Sequence, residues 1–206
     1  MKINGLAILP CAGFGTRMGM KINESKEMLP DSKYGFDHII DYSLDICRQF
    51  HLIPLVITRE EKTDLIKYLK KKKIKYMLVD HKGEWFETVL KSQVYWLENN
   101  YLLLPDTRFQ LITNMLDLIR GLEMGNNAVF GVHKVQDPEK WGIISSYSLM
   151  EKPKYLKGPQ MAWGIIGFKR YYGVDLFSKM RYSKFKLKNV GFSHLLGFED
   201  ITRGVK

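Results

Sequence analysis

Through residue 135 the sequence alternates between short apolar runs and amphipathic segments of helical period, and this alternation restricts the fold more than any other feature. Leu6-Ala7-Ile8-Leu9 is an apolar run that ends at Pro10 and a glycine-bearing stretch, as a buried parallel strand does. Asp37 to Phe50 sets Ile39, Ile40, Leu44 and Cys47 at helical spacing. Ile53 to Thr58 is β-branched and apolar, and Thr58 with Glu61 reads as a capping box opening a helix over Glu60 to Lys71, with Leu65, Ile66 and Leu69 on its apolar side. The unit repeats with a strand over Tyr76 to Val79 and a helix over Thr88 to Glu98 carrying Val89, Leu90, Val94 and Leu97. A strand over Tyr101 to Leu104, a helix over Ile112 to Glu123 and a strand over Ala128 to Val135 follow. Such alternation predicts an α/β fold: a mixed, mainly parallel sheet with helices on both faces.

After residue 136 the texture changes. Trp141 to Ser146, Leu149 to Glu151 and Trp163 to Lys169 are short and β-rich, and one further helix is predicted near Val174 to Met180. These segments are expected to form a small extra β-rich portion packed beside the parallel strands. At about 150 residues per domain, one domain spanning 1–206 is expected, with a first portion over 1–135 and a second over 136–206.

Composition narrows the class. Hydrophobic residues make up 45% of the 206 positions and charged residues 26%, which excludes a disordered tail protein. The two cysteines, Cys11 and Cys47, have no metal-type spacing and fit a reducing compartment. No apolar run approaches the roughly 18–20 residues of a membrane span, and MKINGLAILP is too short and too mixed for a signal peptide. The expectation is a soluble cytoplasmic protein without a membrane partner. Lys+Arg outnumber Asp+Glu by 32 to 22, a formal charge of +10 that points to an anionic partner. Lys70 to Lys73 stand where a helix should end, and solvation plus dipole compensation accounts for them. No nucleic-acid module and no interleaved basic–aromatic repeat is present, so a nucleic-acid partner is not expected.

The stretch from Leu9 to Pro30, LPCAGFGTRMGMKINESKEMLP, carries the most chemistry. Gly13 and Gly15 let the backbone turn sharply after a strand, so that successive N–H groups can face phosphate oxygens. Arg17 adds a permanently charged bidentate fork and Lys26 a mobile cation. A Gly-x-Gly turn alone fits an ordinary tight βα connection equally well. The dinucleotide fingerprint is absent, since Arg17-Met18 stands where it needs its third glycine, and no Gly-Lys-Ser/Thr of a P-loop follows.

The longer pattern, a glycine turn followed by Thr16-Arg17-Met18 and then Lys26-x-x-Leu29-Pro30, resembles the sugar-phosphate nucleotidyltransferases, in particular their thymidylyltransferase-like branch. Four further segments resemble that family in the same order. They are Leu102 to Phe109 (LLLPDTRF), Asp137 to Ile144 (DPEKWGII), Glu151-Lys152-Pro153 with Trp163 to Ile166 (WGII), and Phe198 to Gly204 (FEDITRG). The resemblance implies a Rossmann-like nucleotide-diphospho-sugar transferase fold. It also implies a Mg²⁺-dependent transfer from a nucleoside triphosphate, with dTTP or UTP favoured, to a sugar 1-phosphate, releasing pyrophosphate.

Residue by residue, the resemblance implies that Leu9, Ala12, Gly13, Gly15 and Thr16 receive the nucleotide and cradle its phosphates. Arg17 would hold the β- and γ-phosphates, and Lys26 would neutralise charge at the α-phosphate. Asp106 and Asp200 would hold Mg²⁺. Glu151 would accept hydrogen bonds from the sugar and Lys152 would pair with its phosphate, while Gly142 and Gly164 would permit close approach of the ring. Gly83 and Glu84 fall where the family reads the base.

The sequence departs from the family pattern at three places. Ser25 replaces a proline, the loop between Arg17 and Lys26 is one residue shorter than the commonest version, and the late motif reads Asp200-Ile-Thr-Arg-Gly in place of Asp-x-Gly-Thr. The chain also stops soon after Asp200, which reads as a minimal catalytic core. Two alternatives stay open: a cytidylyltransferase acting on an alcohol phosphate or sugar acid, and a non-catalytic protein of the same fold that binds a nucleotide or sugar nucleotide. The oligomeric state is open as well.

Overall fold

A computed structural model of the chain describes residues 4–13, 24–80, 84–109, 111–182 and 184–200. Four parallel strands form its centre: β1 (Gly5–Pro10), β2 (Leu52–Thr58), β3 (Lys75–Leu78) and β4 (Asn99–Leu103), in the spatial order β4-β1-β2-β3. The predicted strands at these four places all form. Alternate residues of β1 serve two cores. Leu6 and Ile8 face the side of α3 (Trp85–Lys91) and α5 (Arg170–Lys179), and Ala7 and Leu9 face that of α1 (Ile39–Gln49), α2 (Thr63–Lys71) and α4 (Leu111–Glu123). The result is an α/β fold with helices on both faces of a mixed sheet whose central strands are parallel, compatible with a Rossmann-like fold.

The order of these strands places the site. The chain passes from β1 outward to β2 and β3, then returns to the other side of β1 as β4. Between β1 and β4 the direction of winding therefore reverses, and a crevice opens beyond their carboxyl ends, where open α/β sheets take ligands.

Next to β4 lies the long antiparallel strand β9 (Gln160–Lys169), with β6 (Ala128–Val135) along its other edge. Strand β4 pairs with Ile165 to Lys169 of β9, and β7 (Gly142–Ser145) pairs with Met161 and Ala162 on the same edge. β4 and β7 thus share one edge end to end and part company at Trp163-Gly164, leaving a fork in the sheet. β8 (Ser148–Glu151) forms a hairpin with β7 and pairs outward with β10 (Phe185–Lys186). β11 (Val190–His194) runs parallel to β6, and β12 (Glu199–Asp200) pairs with β5 (Thr107–Arg108) in a separate two-stranded ribbon.

Several elements differ from the sequence reading. Helix α2 begins at Thr63, after a turn over Arg59 to Glu61, so the Thr58–Glu61 capping box does not open it; Thr58 is the buried last residue of β2. Helix α3 begins at Trp85 behind Glu84, whose backbone N–H donates to Glu87 Oε2. It gives way at Ser92 to a 3-10 turn, where the Ser92 hydroxyl donates to the Val89 carbonyl and accepts from Trp96 Nε1. That tightening rotates Val94 out to 73% exposure and leaves Leu97 at 36%, so Val89 and Leu90 of the predicted stripe pack on the core while Phe86 and Trp96 take the places expected for Val94 and Leu97. Helix α5 starts four residues before the predicted Val174, at Arg170. Lys70 to Lys73 end α2 in solvent, as expected. Among the described residues no helix is long and apolar enough to cross a membrane.

Candidate functional site

The crevice between β1 and β4 and the fork between β4 and β7 merge into one cavity of about 250 Å³, a little below the roughly 300–1,000 Å³ of small-molecule sites. Its lining comes from seven places in the chain. Pro10, Ala12 and Gly13 follow β1, Leu104 to Thr107 follow β4, Lys140 to Gly142 lead into β7, and Glu151, Lys152 and Trp163 close the far end. Lys26, Trp85 and Thr88 complete it. Of the residues singled out in the sequence, Ala12, Gly13, Lys26, Asp106, Gly142, Glu151 and Lys152 are brought together here. Gly15, Thr16, Arg17 and Gly83 lie outside the described residues, as does the side chain of Asp200.

Lys26 and Asp106 form an ion pair at this cavity, through Lys26 Nζ and Asp106 Oδ2. Lys26 opens a short 3-10 turn, Lys26 to Met28, that is anchored from beneath. The Ser25 hydroxyl and backbone N–H donate to the two oxygens of Asp64 at 2.6 and 3.0 Å, and Lys62 Nζ donates to Glu27 Oε2 at 2.7 Å. Glu27 and Lys62 are both buried. Such a pair costs much to desolvate but holds its segment in one place. Sequence reading missed this anchor, because a lysine before a helix looks like any solvated helix start.

Asp106 follows the carboxyl end of β4, and the next two residues form β5. Strand β12 pairs with them so that Asp200 stands opposite Thr107 and Glu199 opposite Arg108. The backbones of the two expected metal aspartates are therefore adjacent, although 94 positions separate Asp106 from Asp200 in sequence. Mg²⁺ takes one or two carboxylates together with substrate oxygens and water; Asp106, in the turn before β5, and Asp200, opposite Thr107, are residues of that type. Among the described residues no cluster of three metal-ligating side chains occurs.

The far end of the cavity is aromatic. A β-bulge falls at Gly164, since Gly131 pairs with Ile165 and Val132 with Trp163. The extra residue turns Trp163 onto the face shared by Ile166 and Phe168 and toward the cavity. A Cβ on Gly164 would lie 2.4 Å from the Phe198 ring, with Leu195 beside it. The glycine accommodates Phe198 on the face away from the cavity, and no side of Gly164 lines the cavity where a sugar ring was expected to approach. Gly142 does line it, yet a Cβ there would meet Trp163 Nε1 at 1.9 Å and Glu151 Oε2 at 2.7 Å. Its bareness makes room for those two side chains. Trp85 packs against Trp163 with ring centroids 5.2 Å apart and donates from Nε1 to Glu151 Oε1 at 3.3 Å. Burial pushes the Glu151 carboxyl above its ordinary pKa of 4.5, with the Lys152 charge and the Trp85 bond opposing. Lys152 itself takes the left-handed backbone, φ +46°, which turns the chain into Pro153.

Leu9 is a core residue beneath α1 and α4, not a lining residue. Glu84 is the exposed residue preceding α3, and its neighbour Trp85 reaches the cavity instead. Trp85 and Thr88 are the lining residues that sequence reading missed. Their helix starts earlier than its apolar stripe indicates, and the Glu84-x-x-Glu87 spacing was the signal for that start.

The arrangement gives a cation and a carboxylate at one end, a tryptophan-walled acidic pocket with a lysine at the other, and a strand-to-loop turn between them. No protein-family model matches the chain, and no curated protein sequence is significantly similar to it.

Proposed function

We propose that the protein is a nucleotidyltransferase of the nucleotide-diphospho-sugar transferase fold, joining a nucleoside triphosphate to a sugar 1-phosphate with release of pyrophosphate. The observation that carries this reading is the convergence of Lys26, Asp106, Glu151 and Lys152, from three separate motifs, on one cavity beyond the strand ends. The +10 charge and the order of the motifs agree with it.

The chemistry asks for little covalent help. An oxygen of the sugar phosphate attacks the α-phosphorus of the triphosphate in line, the bond to the bridging oxygen of the β-phosphate breaks, and pyrophosphate leaves with that electron pair. Two polyanions must meet, so positioning and charge neutralisation dominate. Lys26 would stand beside the α-phosphate and offset charge gathered there during attack. Lys152 would draw in the acceptor phosphate, and Glu151 would accept hydrogen bonds from sugar hydroxyls held against Trp85 and Trp163. Gly13 and the following Gly15, Thr16 and Arg17 would bind the phosphates of the triphosphate. Asp106 and Asp200 would hold Mg²⁺, which when bound supplies charge neutralisation on the phosphate oxygens.

A second acceptor class is favoured by one observation: three tryptophans, Trp85, Trp141 and Trp163, line the acceptor end. Such a wall suits an alcohol phosphate as well as a pyranose, with the same nucleotidyl transfer and CTP as donor. Incubation with Mg²⁺ and a panel of triphosphates against sugar 1-phosphates and alcohol phosphates tests both readings. Pyrophosphate release that requires an acceptor is expected. No release with acceptors of either class would overturn the transferase reading and leave a nucleotide-binding protein.

A further inference from the structure

Behind the site lies Arg108, a cation with 2% of its surface exposed that does not line the cavity. Its guanidinium donates from Nε and Nη2 to Asp31 Oδ2, the former at 3.1 Å, and from Nη2 to the Ile39 carbonyl at 2.9 Å. Nη1 donates to the carbonyls of Pro105 and Thr107 at 3.0 and 2.8 Å. These two carbonyls belong to the residues on either side of Asp106. The Tyr42 ring lies 4.4 Å from the guanidinium carbon, and the Tyr42 hydroxyl donates to the Phe109 carbonyl at 2.7 Å.

The same hub reaches β12. The turn that follows Asp31 carries Lys33 and Tyr34. Lys33 Nζ donates to Glu199 at 2.7 and 2.8 Å, and the Tyr34 hydroxyl donates to it as well. Glu199 is also the strand partner of Arg108 and precedes Asp200. One turn and one guanidinium thus fix the peptide planes around Asp106 and the strand that ends in Asp200.

We infer that Arg108, held by Asp31, is the positioning residue that fixes Asp106, beside the backbone of β12, for a divalent cation. The inference rests on the metal assignment of the proposed function. A planar fork alone can serve a carboxylate and the carbonyls around Asp106 together, since lysine has one nitrogen in place of three. A carbonyl released from Arg108 lets its peptide plane rotate, and the Asp106 carboxylate swings with it. Partners that orient ligands from behind usually contribute about 10–100-fold to metal affinity.

The test is Mn²⁺ titration, followed by the electron paramagnetic resonance of the free ion, on protein with a non-hydrolysable triphosphate and against the triphosphate alone. Arg108→Lys keeps the charge, and Asp31→Asn releases the fork without touching the Asp106 loop; unfolding of each variant is monitored separately. About tenfold or greater weakening of Mn²⁺ in the folded variants is expected. Wild-type Mn²⁺ affinity in either folded variant, even with a lowered melting temperature, would overturn the positioning role alone. A wild-type protein that binds no Mn²⁺ beyond the triphosphate would overturn the metal assignment and the inference together.

Discussion

Lys26 and Asp106, eighty residues apart in sequence, meet as an ion pair at the cavity between the strand ends. Each is fixed from behind by separate groups: Lys26 through Ser25–Asp64 and Glu27–Lys62, Asp106 through Arg108. Their side chains keep 18% and 16% exposure, enough to be reached by a ligand and too much for the pair to dominate stability.

Lys26→Ala and Asp106→Asn should therefore separate activity from folding. Each is expected to lower kcat by roughly 10²–10³, the usual effect of removing one group that stabilises developing charge. The melting temperature should move by only a few degrees. Near-normal turnover in Asp106→Asn would remove that residue from the metal site.

Glu151 offers a stability–function conflict with a definite sign. Its folded pKa lies above 4.5 because of burial, so over that interval the folded state holds a proton that the unfolded state has lost. Stability must then fall as pH rises through the window from 4.5 to the raised value. Glu151→Gln removes this slope and should melt higher than wild type at neutral pH, while binding the acceptor about tenfold more weakly or worse. In the wild type, the KM for the acceptor should rise as acid protonates Glu151. Thermal melts across pH and acceptor kinetics on both proteins check the two halves.

Lys62→Met should leave Glu27 charged and buried without its partner. A loss of about 3–5 kcal/mol is expected from denaturant titration, and Lys26 should lose its fixed position at the same time. A double change that also replaces Glu27 with Met should recover most of the stability but not the activity. Recovery of both would show that the anchor has no part in placing Lys26.

Neither thiol should be reactive in the folded protein. Burial raises Cys11 well above its ordinary value and pushes Cys47 up to about 12, so almost no thiolate exists at pH 8. A colorimetric thiol reagent should find both cysteines only after denaturant is added. Rapid labelling of Cys11 in buffer would mean that the segment following β1 opens readily.

Much of the fold was legible because buried parallel strands are short apolar runs closed by Gly or Pro, as at Leu6 to Leu9 and Tyr101 to Leu104. The two-residue strands at Phe185, Thr107 and Glu199 have no period to read and exist through their partners. The direction of Trp163 depends on a bulge at Gly164 whose empty side is filled by Phe198, 34 positions later. Asp106 and Lys26 could be picked out by motif. Trp85 and Lys62 could not, since one helix start and one buried ion pair decide where they point.

The most direct test of nucleotidyl transfer follows the α-phosphate. With triphosphate labelled at the α-position, Mg²⁺ and the acceptor phosphate, the label is expected in a nucleoside diphosphate-linked product, with unlabelled pyrophosphate released in equal amount. Label appearing in nucleoside monophosphate or diphosphate, or remaining wholly in the triphosphate across the panel, would contradict it.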